Sequence, residues 1–211
     1  MSALILPFAL VAIPQRTRAA EAKIEAKSEQ QKRILGIYAL ALVATLVFYM
    51  APTQLPFLLV EFGVGPALTG AVVAGSTVTG VIGALAFPLV RNRLSPSMIT
   101  TASVLLLGVG WLLIGIAGNV VLVVIGLLVG GVGVGLVVPN LNLRLAELAH
   151  PLRRGKVLSG LVSGIFLGQF LSPLAVQPLV QTIGIADAFT YSGVALAVAA
   201  TVFTFKERKV R

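Results

Sequence analysis

Charged positions divide the chain into long apolar runs. Arg33 and Glu61 enclose Ile34 to Val60, and Glu61 and Arg91 enclose Phe62 to Val90. Each run is long enough for one membrane-crossing helix of about 20 residues and its ends. The run from Leu94 to Leu143 is too long for a single helix and breaks at the turn-like stretch Gly115-Ile116-Ala117-Gly118-Asn119. Lys156 to Asp187 encloses another span, ending near Gly184. The last span carries Asp187 in its first turn, where the helix dipole favours a carboxylate. The pattern therefore predicts six spans, at 34–60, 64–90, 97–117, 119–146, 156–182 and 185–205. These runs are apolar on all sides and show little alternation, which selects helices over the roughly 10-residue alternating strands of a barrel. The expected fold class is an all-α membrane protein.

The ends differ from the middle. Met1 to Ile13 is apolar but about half the length of a span, without basic residues ahead of it or a clear cleavage site. We read residues 1–14 as the end of a partial transmembrane helix that Pro14 terminates. Residues 15–33 form a basic linker, 34–205 the six-helix bundle and 206–211 a tail. Glu/Lys spacing in the linker suits a short surface helix.

The loops alternate in charge. All 16 Lys and Arg residues fall in the linker, in the tail, at Arg91 and Arg93, or between Arg144 and Lys156. The intervening loops near 61–65, 115–119 and 183–187 hold none. The positive-inside rule then puts linker and tail on the cytoplasmic face of the cell's inner (plasma) membrane, and an even number of spans requires them to share a side. Glu147 follows Arg144 by one turn, which suggests an i,i+3 ion pair.

Composition narrows the function. Hydrophobic residues make up 57% and charged residues 11%, against about 25% charged in soluble domains. Bilayer hydrocarbon is the solvent that accounts for the deficit. The net charge of +9 lies in short loops between apolar runs, so it reads as topology and headgroup contact, not as a nucleic-acid surface. The chain has no cysteine and one histidine, His150, in a basic loop. Thiol chemistry, disulfides and histidine metal clusters are excluded.

Small residues recur at helix-packing spacing: Gly126/Gly130 and Gly131/Gly135 in the fourth span, and Gly160, Gly164, Gly168 and Ser172 in the fifth. Prolines interrupt the first span at Pro52 and Pro56, the fourth at Pro139, and the fifth at Pro173 and Pro178. Each tends to kink or break its helix, and such helices often line a cavity. Polar side chains gather near them: Tyr49, Thr53 and Gln54 in the first span, Asn140 and Asn142 in the fourth, Gln169 in the fifth. These six are the candidate substrate-binding residues. Interhelical hydrogen bonding is the other use of such groups. No carboxylate lies deep in a span.

With spans and kinks placed, the chain resembles the C-terminal half of a major facilitator superfamily transporter, of the bacterial sugar-efflux and multidrug-efflux kind. The residues carrying the resemblance are Pro52-Thr53-Gln54-Leu55-Pro56-Phe57, Gly131 to Asn142, Arg154-Gly155, and Gly168-Gln169-Phe170-Leu171-Ser172-Pro173. The resemblance implies that the six spans are helices 7 to 12 of that fold, a 3+3 inverted repeat, with 1–14 the end of helix 6. Helices 7 and 10 would line a central cavity, 8 and 11 would face the other half, and 9 and 12 would lie outside. The family's Gly-x-x-x-Asp-Arg signature after helix 8 is incomplete, because Gly83 to Arg91 keeps the glycine and the basic end but lacks the Asp.

The resemblance further implies transport of a small solute, as efflux by alternating access, without a cofactor. The partners implied are the small-molecule substrate, the lipid bilayer and an N-terminal six-helix half absent from this sequence. A half-size transporter working as a homodimer is the alternative. A membrane-embedded enzyme or assembly protein would need paired acids, a metal set or a serine with a base, and the spans contain none.

Overall fold

The computed structural model describes the backbone of residues 5–208 and the side chains of residues 24–202. The side chains of the expected partial helix at 1–14 and of the tail at 206–211 fall outside the described residues. Among the described residues all regular structure is helical: α1 (Ile5–Phe48), α2 (Met50–Glu61), α3 (Pro66–Arg91), α4 (Pro96–Gly115), α5 (Val120–Leu148), a 3-10 turn at Pro151–Arg153, α6 (Arg154–Ile183) and α7 (Ile185–Arg208). Six stretches are long and apolar enough to cross a membrane, with α1 and α2 together making the first. The chain is a multi-pass membrane protein.

The first span is interrupted at Tyr49, and the cause is local. Pro52 has no N–H to give the Phe48 carbonyl, and its ring crowds that turn. The helical bonds continue on either side of that carbonyl. Tyr49 N donates to Thr45 O at 2.9 Å, Thr53 N to Tyr49 O at 3.3 Å, and Thr53 Oγ1 to Tyr49 O at 2.9 Å. The helices holding Pro139, Pro173 and Pro178 remain continuous.

Helix ends follow ordinary capping rules. Gly63 adopts φ 75°, and Gly63 N and Val64 N return to Val60 O and Leu59 O at 2.9 and 3.0 Å, closing α2 in a Schellman turn. Proline opens α3 and α4 where its missing N–H costs nothing. Ser95 Oγ accepts from Met98 N, and Asn119 Oδ1 from Leu122 N at 3.0 Å. Asp187 lies in the first turn of α7.

In hydrocarbon the helices gain nothing from excluding water, so association depends on close approach. α4 and α5 approach closely at a pair of glycines, and α3 and α5 more closely still, where a Cβ added at Gly135 would overlap Gly80 O. A Cβ added at Gly110 would lie 2.5 Å from Gly126 O, and one added at Gly126 would lie 2.5 Å from Gly110 O. Glycine is required at both. α4 also lies along α7, α3 along α5, and α1 along α6. Trp111 of α4 is fully buried, and its Nε1 donates to Val47 O of α1 at 3.1 Å. Its ring stacks on Phe48 at 6.1 Å and meets Phe189 of α7 edge-on at 5.8 Å. At the basic end Tyr38 Oη donates to Val157 O at 2.6 Å, tying α1 to α6, and Gln30 Nε2 donates to Leu148 O.

α4 and α5 are the most buried spans, and α3 and α6 the least. The open faces of the latter carry Val81, Ile82, Leu85, Phe166, Phe170 and Leu174.

Candidate functional site

A cavity of about 140 Å³ lies between α1, α5 and α6, with Tyr49 in its wall. Its wall is mostly apolar, with Phe48, Val134, Val138 and Ile165 among the residues lining it. Three side chains bring polar atoms to it: Thr45, Tyr49 and Gln169. Thr45 Oγ1 is occupied, donating to Ala41 O at 2.7 Å. Tyr49 and Gln169 are half-buried, and among the described residues neither makes a side-chain hydrogen bond. A phenol and a carboxamide facing an apolar cavity with unused hydrogen-bonding capacity can orient a neutral polar solute.

The six candidate residues do not form one cluster. Tyr49 and Gln169 meet at the cavity. Thr53 turns back on its own helix to serve Tyr49 O and Met50 O, at 2.9 and 3.3 Å. Gln54 is 3% exposed and lies on α2, where its Nε2 donates to Gln177 Oε1 of α6 at 3.0 Å. That bond clamps the two helices beyond the cavity, on the side away from the basic loops. Asn140 is fully buried against α4, with its Nδ2 donating to Pro96 O at 2.8 Å and to Thr100 Oγ1 at 2.9 Å. Asn142 Nδ2 donates to Val138 O of its own helix at 3.0 Å. Neither asparagine lines the cavity.

Sequence reasoning missed Thr45 and Gln177. Both carried a readable signal: Thr45 lies one turn before Tyr49, and Gln177 is a second amide in an apolar span next to a proline. The expected Arg144–Glu147 ion pair does not form. Glu147 is exposed, and Arg144 Nη1 donates instead to Thr100 Oγ1 at 3.2 Å. A carboxylate in water gains little from an exposed pair. Among the described residues Lys32–Glu29, at 2.9 Å, is the one salt bridge, and no three acidic or histidine side chains come together as metal ligands.

The sequence matches the family model described as Major Facilitator Superfamily over residues 37–211. Among solved structures, the chain is similar to peptide transporter POT in complex with sulfate, with TM-score 0.72, 19% identity, and coverage of 83% of this chain and 38% of that one. It is similar to the POT family transporter PepTSo, with TM-score 0.64, 25% identity, and coverage of 84% and 37%. It is also similar to the inward-open xylose transporter XylE from E. coli, with TM-score 0.65, 20% identity, and coverage of 84% and 48%. The chain thus spans less than half the length of each. No curated protein sequence gives a significant match.

Proposed function

The chain belongs to the major facilitator superfamily, and from that premise we propose that it forms the C-terminal half of a secondary transporter for a small solute. The cavity bounded by α1, α5 and α6 is this half's share of the substrate path, with Tyr49 and Gln169 as its polar contacts. The observation that carries the reading is the Tyr49 phenol, which lines an apolar cavity at membrane depth and makes no hydrogen bond among the described residues. The structural relatives named for peptide and xylose transport support a solute carrier over an enzyme.

The open apolar faces of α3 and α6 suit docking against an N-terminal six-helix half, and rocking between the halves would give alternating access. Efflux is the direction the sequence motifs favour. The basic linker and loops support a cytoplasmic location for that end of the bundle.

The test is solute flux in proteoliposomes made with the product of the complete reading frame. Tyr49→Phe and Gln169→Leu are each expected to raise the apparent KM several-fold or more with little loss of protein. The loss follows from an unpaired polar group of the solute in the apolar site. Wild-type flux in both variants would remove the cavity from the path.

A further inference from the structure

A second, larger cavity of about 360 Å³ opens at the basic end of the bundle, where α1, α4, α5 and α7 meet. Its polar lining is cationic and hydroxylic: Arg33 from α1, Arg144 from α5, and Thr100 and Thr101 from α4. Its remaining wall is aliphatic, with Ile37, Leu40, Val104 and Ala200 among the residues. Among the described residues no carboxylate lines it. Arg33 and Arg144 form no salt bridge among the described residues, and Glu29, one turn before Arg33, is paired with Lys32.

Arg144 is held in place. Its Nη1 donates to Thr100 Oγ1 at 3.2 Å, and the same oxygen accepts from Asn140 Nδ2 at 2.9 Å and donates to Pro96 O at 3.0 Å. A buried chain of hydrogen bonds from α5 to α4 thus aims a half-buried guanidinium along one wall. Arg33 is exposed and Arg144 half-buried at the cavity, so an anion there is attracted by both guanidinium groups, more strongly by the less solvated Arg144.

The shape extends the argument. Trp111 draws α4 onto α1 at the far end through its bond to Val47 O. Towards the basic end the helices leave room, so the cavity is cationic at the loop level and aliphatic deeper in the membrane. A ligand that fits has an anionic head at the interface and an alkyl portion beneath it.

We propose that this cavity holds the phosphate and the upper acyl chain of an anionic phospholipid, with Arg33 and Arg144 on the phosphate. Basic pockets between membrane helices bind acidic lipid headgroups by this combination of charge and depth. The volume falls in the range of ligand pockets, about 300–1,000 Å³, so most of the lipid's acyl length lies outside, in the bilayer. The site is separate from the solute cavity and stands or falls independently of it.

Native mass spectrometry of the purified chain, titrated with dioleoyl phosphatidylglycerol or dioleoyl phosphatidylcholine, tests the proposal. One phosphatidylglycerol per chain is expected, bound about ten-fold or more tightly than phosphatidylcholine. The double variant Arg33→Gln/Arg144→Gln is expected to lose that preference, since both charge-assisted bonds to phosphate disappear. Gly36→Leu leaves the charge unchanged. Gly36 lines the cavity with nothing within 4 Å of an added Cβ, so a leucine there occupies the acyl portion. It is expected to weaken binding by a similar factor, and it carries the test alone if the double variant does not fold. Arg153→Gln, in the exposed turn outside the cavity, is expected to bind as wild type. Equal binding of both lipids, an equal loss in Arg153→Gln, unchanged binding in Gly36→Leu, or displacement of the lipid by millimolar inorganic phosphate would each overturn the proposal.

Discussion

Replacing Gly110 by alanine tests the claim that glycine contact holds the bundle together. The new Cβ would meet Gly126 O at 2.5 Å, Gly130 N at 2.7 Å and Gly130 Cα at 2.9 Å. Real Cβ atoms essentially never come within 3.0 Å of a neighbour. All three obstacles are backbone, so no side chain can swing aside. α4 must move off α5 by about 0.5 Å or more, and a gap of that size forfeits roughly a quarter of each dispersion contact along the seam. Overpacking of this kind costs about 1–3 kcal/mol and sometimes more. Alanine's better helix propensity returns up to about 1 kcal/mol. A net loss of up to about 2 kcal/mol is expected, or up to roughly 8 °C in Tm for a chain of this size. The control is Gly70→Ala on α3, where an added Cβ finds nothing within 4 Å. It should leave stability unchanged or slightly raised. Unfolding in mixed detergent–SDS micelles can be followed by the fluorescence of Trp111, the chain's one tryptophan, which is buried at this seam. The double variant Gly110→Ala/Gly126→Ala should cost less than the sum of its parts, because one displacement relieves both clashes. If Gly110→Ala is as stable as Gly70→Ala, close glycine contact does not hold α4 to α5.

Two further outcomes follow from the polar groups. Asn140→Ala removes the bonds to Pro96 O and Thr100 Oγ1 and is expected to cost about 0.6–1.7 kcal/mol in the same unfolding assay, the range measured for hydrogen bonds between membrane helices. Pro52→Ala restores an N–H opposite the Phe48 carbonyl. It should raise helicity by circular dichroism and thermal stability by about 1 kcal/mol or more, because the turn no longer lacks its donor to Phe48 O.

The spans and their order were legible because charge placement and run length depend on the bilayer, which acts on each residue without regard to its tertiary neighbours. The break in the first span was legible for a similar reason, since Pro52 acts on its own turn. The destinations of the polar side chains were not. Asn140 and Asn142 look alike in sequence, yet they are two positions apart on a helix and point to different faces. Only the placement of Thr100, 40 residues upstream on α4, shows that Asn140 is an interhelical bond. Arg144 misled for the same reason. Its near neighbour in sequence is Glu147, but its partner is again Thr100. Gln54 and Gln177, 123 residues apart, became a pair only once α2 and α6 were set side by side.

The same contrast accounts for where the bundle is open. Exchanging the first three spans with the last three maps the α3–α5 contact onto α6–α1 and leaves α4–α7 in place. The tight α4–α5 seam then has α7 against the first span as its counterpart. That seam is loose, and glycine placement explains it. Gly193, the glycine of α7, faces Gly108 and Leu112 of α4, while Gly36 of α1 faces open space. What joins α7 to the first span includes a weak Ser192 Oγ to Met50 Sδ contact at 3.7 Å. Without reciprocal glycine approach the backbones stay apart, and the basic cavity forms in the space between them. An open seam on a repeat whose counterpart is sealed is what a chain needs if it is to admit a lipid at one edge while keeping α4 and α5 rigid at the other.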